Sequence, residues 1–335
     1  MSSLTPEEAL EQAALAGIHR LQIPTPFAVG RVNCYLIEDS PLTLVDTGPN
    51  SGKALDELTT QLGARGHSID DLELVIVTHQ HIDHLGLVEI VAGHSGAEVA
   101  AIGVAAERLA NFDEDAEADD RFAVELMLRN GIPEEVTAAL RSVSRSFRGW
   151  GSRVAVTRPL EDGEEIRFRD RTLQALLRPG HSPSDTIFWD ERRRILLGAD
   201  HLLPTISSNP LIARPLDGSG QRMQALVAYI ESMRRTREMP IELVLPGHGD
   251  PVVDHVALID DRFAKYERRK EKIHKLIVEQ PRTGYELAQA IWGNVAVTQA
   301  FLTLSEVIGH ADLLVNEGRV REVDDGTVLR YEATD

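Results

Sequence analysis

A chain of 335 residues, 42% hydrophobic and 26% charged, has the length for one large domain plus a smaller one and an ordinary globular composition. Its formal net charge of −18 argues against a general nucleic-acid binder, whose phosphate contacts need a basic face, but leaves room for a local basic groove. A single cysteine, Cys34, excludes an intramolecular disulfide framework and fits a reducing, cytoplasmic setting.

The opening stretch MSSLTPEEALEQAALAG lacks a basic start and an apolar core, so it is not expected to be a secretory signal. It reads as a helix with Thr5 as N-cap, Pro6 in the first turn and Glu8 completing a capping box. Strand-like segments HRLQIP, NCYLIED and LTLVD follow, and Cys34 inside the second is expected to be a buried structural thiol. A helix over about 51–62 leads to LELVIVTH, another over about 85–93 to EVAAIGVAAE, a strand running into a helix. From 113 to 143 a helical insertion is expected: the acidic DEDAEADD as a solvated loop, then RFAVELML, then a helix at GIPEEVTAALRSV with Pro133 near its start. Strands resume with RTLQALLRPGH, TIFWD, RRILLGAD and IELVLPGHG, the middle pair joined by the polar turn Asp190-Glu191-Arg192.

No apolar run reaches the roughly 18 residues of a membrane span. Beyond about 261 come a charged helix, a second helix with Thr283 as N-cap and Glu286 closing its capping box, and a third ending at Gly318. Two strands about an Asp-Gly turn close the chain. Helices followed by a β-ribbon make a winged-helix module, so the expected division is a domain over 1–260, with the insertion at about 113–148, and a winged-helix-like domain over 261–335.

Several apolar strands end in a side chain able to bind a metal. LTLV runs into Asp46, LVIVT into His79, His81, Asp83 and His84, LQALLRPG into His181, ILLGA into Asp200, and LVLPG into His248. In layered α/β architectures the functional edge lies beyond the strand C-termini. Taken singly, His181 or His248 is an ordinary loop or buried histidine, Asp46 an Asx-turn residue and Asp200 a strand-end carboxylate. The stretch THQHIDHLG is different, because three imidazoles and an aspartate crowded behind a buried strand have no structural use. Imidazole and carboxylate ligands suit zinc, with iron or manganese as alternatives. Seven candidates are too many for one tetrahedral ion and suit two divalent ions sharing a carboxylate, with the water between them as nucleophile.

At these residues the chain resembles the metallo-β-lactamase fold superfamily, whose hallmark is H-x-H-x-D-H; the match extends over roughly the first 255 residues. The resemblance implies an α/β fold, an αβ/βα sandwich with helices outside two facing sheets. It implies one ion on His79, His81 and His181, a second on Asp83, His84 and His248, Asp200 bridging, and Asp46 orienting the ligands from behind. Asp83, Asp200 and His248 would carry the catalytic roles. Antibiotic-hydrolysing members usually have cysteine where Asp200 stands, so β-lactam cleavage is not implied. His81 also departs from the flavodiiron pattern. The ligand pattern is closest to the glyoxalase II, lactonase and β-lactamase-like protein 2 branch, and the tail is similar to the winged-helix domain appended to members of the last.

The first functional reading is a dinuclear hydrolase attacking a small-molecule ester, thioester or lactone carbonyl with a metal-bridging hydroxide. The insertion and the loop after Asp200 would wall its pocket, with Phe122, Leu126, Met127, Leu202 and Leu203 divided between pocket and core. The second is a phosphodiesterase or endoribonuclease, for which Arg268, Arg269, Lys270, Lys272 and Lys275 on the tail helix would form a phosphate-binding face; interleaved Glu267 and Glu271 favour a solvated packing helix instead. A mononuclear iron persulfide dioxygenase is a further alternative. A homodimer is the expected oligomer.

Overall fold

The computed structural model describes residues 4–215 and 222–334. Two sheets face each other at its centre. The first has the order β1-β2-β3-β4-β5-β6, comprising Ile18–Ile23, Val32–Ile37, Thr43–Val45, Leu74–Ile76, Glu98–Ile102 and Arg158–Leu160. The second has the order β11-β10-β9-β8-β7, where β7 is Glu165–Arg167, β8 Thr172–Leu177, β9 Thr186–Asp190, β10 Ile195–Ala199 and β11 Leu243–Pro246. In the first sheet β3 to β6 run parallel, and in the second β10 and β11 do.

The runs VNCYLI of β2 and ILLGA of β10 are buried at every position, as strands covered on both faces must be. Tyr35, Val45 and Ile76 of one sheet pack with Phe188, Leu197 and Leu245 of the other. The outer face of the first sheet is covered by α2 (Gly52–Gly63) and α4 (Val88–Ser95) through Leu58, Leu62 and Val91. The outer face of the second is covered by α8 (Ala225–Arg237) and α9 (His255–Glu279) through Leu226, Met233 and Ile259. This is the expected αβ/βα sandwich. Helix α1 (Pro6–Leu15) starts at the expected capping box, with Glu8 N donating to Thr5 Oγ1 at 3.2 Å and Thr5 N to Glu8 Oε2 at 2.7 Å. The single helix expected over 85–93 is two pieces, α3 (Ile82–Leu85) and α4.

Between β5 and β6 lie α5 (Ala106–Ala110), α6 (Phe112–Arg129) and α7 (Glu134–Phe147). The acidic run, expected as a solvated loop, is instead the first half of α6. Carboxylates in a first turn are favoured by the helix dipole. Those further on have partners: Glu117 accepts from Arg141, Arg145 and Arg148 at 2.6, 2.9 and 2.8 Å, and Asp115 and Asp119 accept from Arg214 at 2.7 and 3.0 Å. Of the residues divided between pocket and core, Met127, Leu202 and Leu203 are buried, and Phe122 and Leu126 pack against the cluster around Met127.

The charged helix expected from about 261 starts earlier, at His255. Asp254 caps α9 by accepting from Ala257 N at 2.9 Å, so the helix runs unbroken across 260/261. Then come β12 (Arg282–Thr283), α10 (Gly284–Trp292), α11 (Val295–Thr298), α12 (Ala300–Asn316), β13 (Val320–Asp324) and β14 (Leu329–Ala333). The three strands form a sheet of order β12-β14-β13. Thr283 and Glu286 make the expected capping box, and Gly318 takes the left-handed conformation (φ 71°) that ends α12. Tyr285, Leu304 and Ile308 share a core with Met127 and Ile132, so the insertion and the tail are packed on each other.

Candidate metal centre

The site is made where both sheets end. Asp46 follows β3, Thr78 and His79 follow β4, His81 is the N-cap of α3, and Asp83 and His84 lie within that helix. From the second sheet come His181 beyond β8, Asp200 directly after β10 and His248 just beyond β11. Asp46 (φ 58°) and Ala199 (φ 43°) are non-glycine residues in the left-handed region, one at the site and one beside Asp200. Such strain collects where a chain must aim particular groups.

All seven residues proposed as ligands from sequence come together. His79 Nε2 is 3.0 Å from His81 Nδ1, which is 2.9 Å from His181 Nε2. Opposite, His84 Nε2 is 3.4 Å from Asp200 Oδ1, while His248 Nε2 is 3.3 Å from Asp83 Oδ2 and 3.6 Å from Asp200 Oδ2. His181 Nε2 is 3.5 Å from Asp200 Oδ2, so that carboxylate reaches both halves. Ligand atoms of three groups, His79/His81/His181, His79/His84/Asp200 and Asp83/His84/His248, lie within 4.8 Å of one another. Four of the five imidazoles are buried, and His81 is half-buried.

The outer nitrogen of four of the five rings assigns the tautomer. His84 Nδ1 donates to Asp46 Oδ2 at 2.7 Å, His181 Nδ1 to the Asn209 carbonyl at 3.0 Å and His248 Nδ1 to the Arg31 carbonyl at 2.9 Å. Thr78 Oγ1 donates to Asp46 Oδ2 at 2.8 Å and accepts from His79 Nδ1 at 3.0 Å. Asp46 also accepts from Thr78 N at 2.9 Å, so it orients His84 directly and His79 through Thr78. Four Nε2 lone pairs therefore point inward beside two carboxylates. His84 Nε2 and Asp200 Oδ1 are buried without any hydrogen-bond partner among the described residues.

That donor set fits divalent ions. Two ligand atoms on a tetrahedral ion with bonds near 2.0–2.1 Å lie about 3.3 Å apart, and the contacts above cluster around that spacing. Converging lone pairs and carboxylates repel unless a cation sits among them. Burial and the neighbouring imidazoles hold His79 and His81 below the ordinary histidine value, His81 to about 3, which keeps these rings neutral, the form that binds metal. Burial also opposes charge on His84, but Asp200 and Asp46 overcome it and raise its pKa, so a proton is the alternative occupant of the space between those carboxylates.

Four contributors escaped sequence reasoning. Thr78 carried a signal, being the polar residue that links the β4 run to the histidines. The carbonyls of Arg31 and Asn209 carried none, since any residue offers one. Asp185 is the fourth. It precedes the buried strand TIFWD, is itself buried, and places Oδ1 3.8 Å from His79 Nδ1.

The family model described as metallo-beta-lactamase superfamily matches residues 28–248. The chain is 32% identical over 314 residues to a probable metallo-hydrolase, YqjP, of Bacillus subtilis, covering 93% of this chain and 96% of that one. It is 23% identical over 303 residues to a β-lactamase-like protein 2 homolog of Caenorhabditis elegans, covering 87% and 83%. Among solved structures, a metallo-β-lactamase family protein from Thermus thermophilus superposes with a TM-score of 0.79 at 26% identity, covering 96% of this chain and all of that one (100%).

Proposed function

The chain belongs to the metallo-β-lactamase superfamily, and from that premise we propose that it is a dinuclear metal-dependent hydrolase of a small-molecule ester, thioester or lactone. His79, His81 and His181 would hold one ion, Asp83, His84 and His248 the other, and Asp200 would lie between them. Divalent ions bound there, zinc first and iron or manganese as alternatives, would supply a water ionised near neutral pH and a positive field for the carbonyl oxygen.

The remaining work falls to the chain. Asp46, Thr78 and the carbonyls of Arg31 and Asn209 keep four imidazoles in the tautomer that faces inward. Asp83, whose Oδ2 faces His248 Nε2 on the ligand side, is proposed to take the proton of the attacking water on its other oxygen and return it to the departing alcohol or thiol. His81, the half-buried ring, marks the side from which a substrate arrives.

A phosphodiester substrate is the second reading, and the tail helix supports it poorly. Arg269 pairs with Glu306 and stacks on Trp292 at 5.2 Å, and Lys270 pairs with Glu317 at 2.5 Å and Glu267 at 3.0 Å. The basic face that this reading needs is thus partly neutralised. We read residues 261–334 as a winged-helix unit with a packing role. Arg262 donates to the carbonyls of Leu203 and Ile206, and Tyr266 bonds Ser207, all on the loop after Asp200.

The inward lone pairs of buried, tautomer-fixed imidazoles carry the proposal. Its test is metal content together with turnover of a thioester, a homoserine lactone, an aryl ester, bis-p-nitrophenyl phosphate and single-stranded RNA. Wild-type protein should bind two ions and cleave a carbonyl substrate. His81→Ala and Asp200→Asn should each lose metal and activity while keeping the fold. Activity surviving both changes, or turnover of RNA alone, overturns it.

A further inference from the structure

We infer that Asp185 is a positioning carboxylate for the ion on His79, His81 and His181, an assignment that rests on the metal-centre reading above. Asp185 immediately precedes β9, the strand antiparallel to both β8 and β10, so its N-terminal end lies on the same edge as His181 and Asp200. The residue is fully buried (0% exposed), and among the described residues neither carboxylate oxygen has a hydrogen-bond partner. Its one ion-pair contact within 4 Å among those residues is His79 Nδ1, at 3.8 Å. The main chain contributes nothing to the carboxylate: Asp185 O accepts from Arg178 N, and Asp185 N is turned to Ser182 O.

A buried carboxylate without partners is among the costliest groups a fold can hold, so one that persists needs a compensating charge. The other carboxylates nearby, Asp46 and Asp200, repel it. What faces it is the ring of His79. Its Nδ1–H donates to Thr78 Oγ1 at 3.0 Å, and Asp185 Oδ1 stands beside the same nitrogen at 3.8 Å without a hydrogen bond. A cation on the far nitrogen of an imidazole makes the near N–H more positive, so Asp185 is attracted most strongly when the ion is present. With no ion its burial is left uncompensated and costs stability. Asp46 stands in the same relation to His84, with the difference that its own hydrogen bonds are made.

The consequence is a pair of effects of opposite sign. In the full-length chain, Asp185→Asn, nearly identical in shape, should weaken zinc binding by roughly 10–100-fold, measured by competition with a chromophoric chelator. The same variant stripped with EDTA should melt at a higher temperature than stripped wild type. A carboxylate that merely supports the fold would lower that melting temperature and leave affinity alone. Equal zinc affinity in variant and wild type, or a stripped variant that melts lower, overturns the inference while leaving the metal centre standing. A wild-type chain that takes up no zinc overturns both.

Discussion

The metal centre and the C-terminal tail are built on opposite plans. The centre collects residues from 46 to 248 at the ends of strands in two sheets, and outside the run 79–84 its members lie far apart in the chain. The tail from α9 to β14 is contiguous, with its own core of Ile273, Leu287, Val307 and Tyr331 and its own capping box. The centre holds buried groups with unsatisfied demand, at His84 Nε2, Asp200 Oδ1 and both oxygens of Asp185. In the tail, buried acids and bases are paired, Asp312 with Arg222 at 2.6 Å and Lys270 with Glu317, and the unpartnered buried side-chain atoms among the described residues are the single imidazole nitrogens His255 Nε2 and His310 Nε2. A region that stores unpaired groups is organised for something it must bind, and one that neutralises them is organised to pack. The two should therefore respond differently to perturbation.

The largest expected effect comes from one methyl group in the centre. A Cβ on Gly247 would stand 2.3 Å from Asp200 Oδ1 and 2.9 Å from His84 Cε1. Gly247→Ala must displace the carboxylate proposed to bridge. Metal content should collapse and hydrolysis fall by ~100-fold or more, the scale of a 1 Å misplacement, while far-UV circular dichroism stays near wild type. Arg262→Ala probes whether the regions are separable. Arg262 is buried on α9 and donates to Leu203 O at 3.2 Å and Ile206 O at 3.0 Å, so truncation strands two carbonyls of the loop after Asp200. A cost of about 2–3 kcal/mol in denaturant unfolding is expected. Hydrolysis should fall as well, because Asn209 on the same loop orients His181. Unchanged activity at reduced stability would make the tail an independent unit.

The same contrast explains what the sequence disclosed. Imidazoles and carboxylates at strand ends are conspicuous by residue type, so His79, His81, Asp83, His84, His181, Asp200 and His248 are all identifiable without the fold. The caps at Thr5 and Thr283 are local and equally legible. Pairing across the chain is not. DEDAEADD read alone looks solvated, and only α7 and Arg214, brought alongside by the fold, turn it into an ion-paired helix face. The packing of Met127 against Tyr285 likewise joins residues far apart in sequence whose apolarity says nothing of their partner. Asp185 is hidden for a different reason: ligands are expected at strand C-termini, whereas an antiparallel strand brings its N-terminus to the same edge.

The smallest expected effect lies in the tail and concerns Glu317. Burial would raise its pKa, but Lys270 at 2.5 Å and Arg319 at 3.2 Å hold it below the usual carboxylate value. A carboxyl whose folded pKa is depressed contributes stability above its unfolded pKa, near 4.3, and loses it as pH falls through the folded value. Its side chain is 38% exposed, so solvent screening limits the pair to about 0.5 kcal/mol. Lys270 also keeps Glu267 at 3.0 Å when Glu317 is neutralised. Glu317→Gln should therefore lower the urea midpoint slightly at pH 7 and leave it unchanged at pH 3, with zinc affinity and hydrolysis the same as wild type throughout. A gap that widens on acidification reverses the sign of this linkage, and a loss of metal affinity would mean that the tail is coupled to the centre through more than Arg262 and the loop it holds.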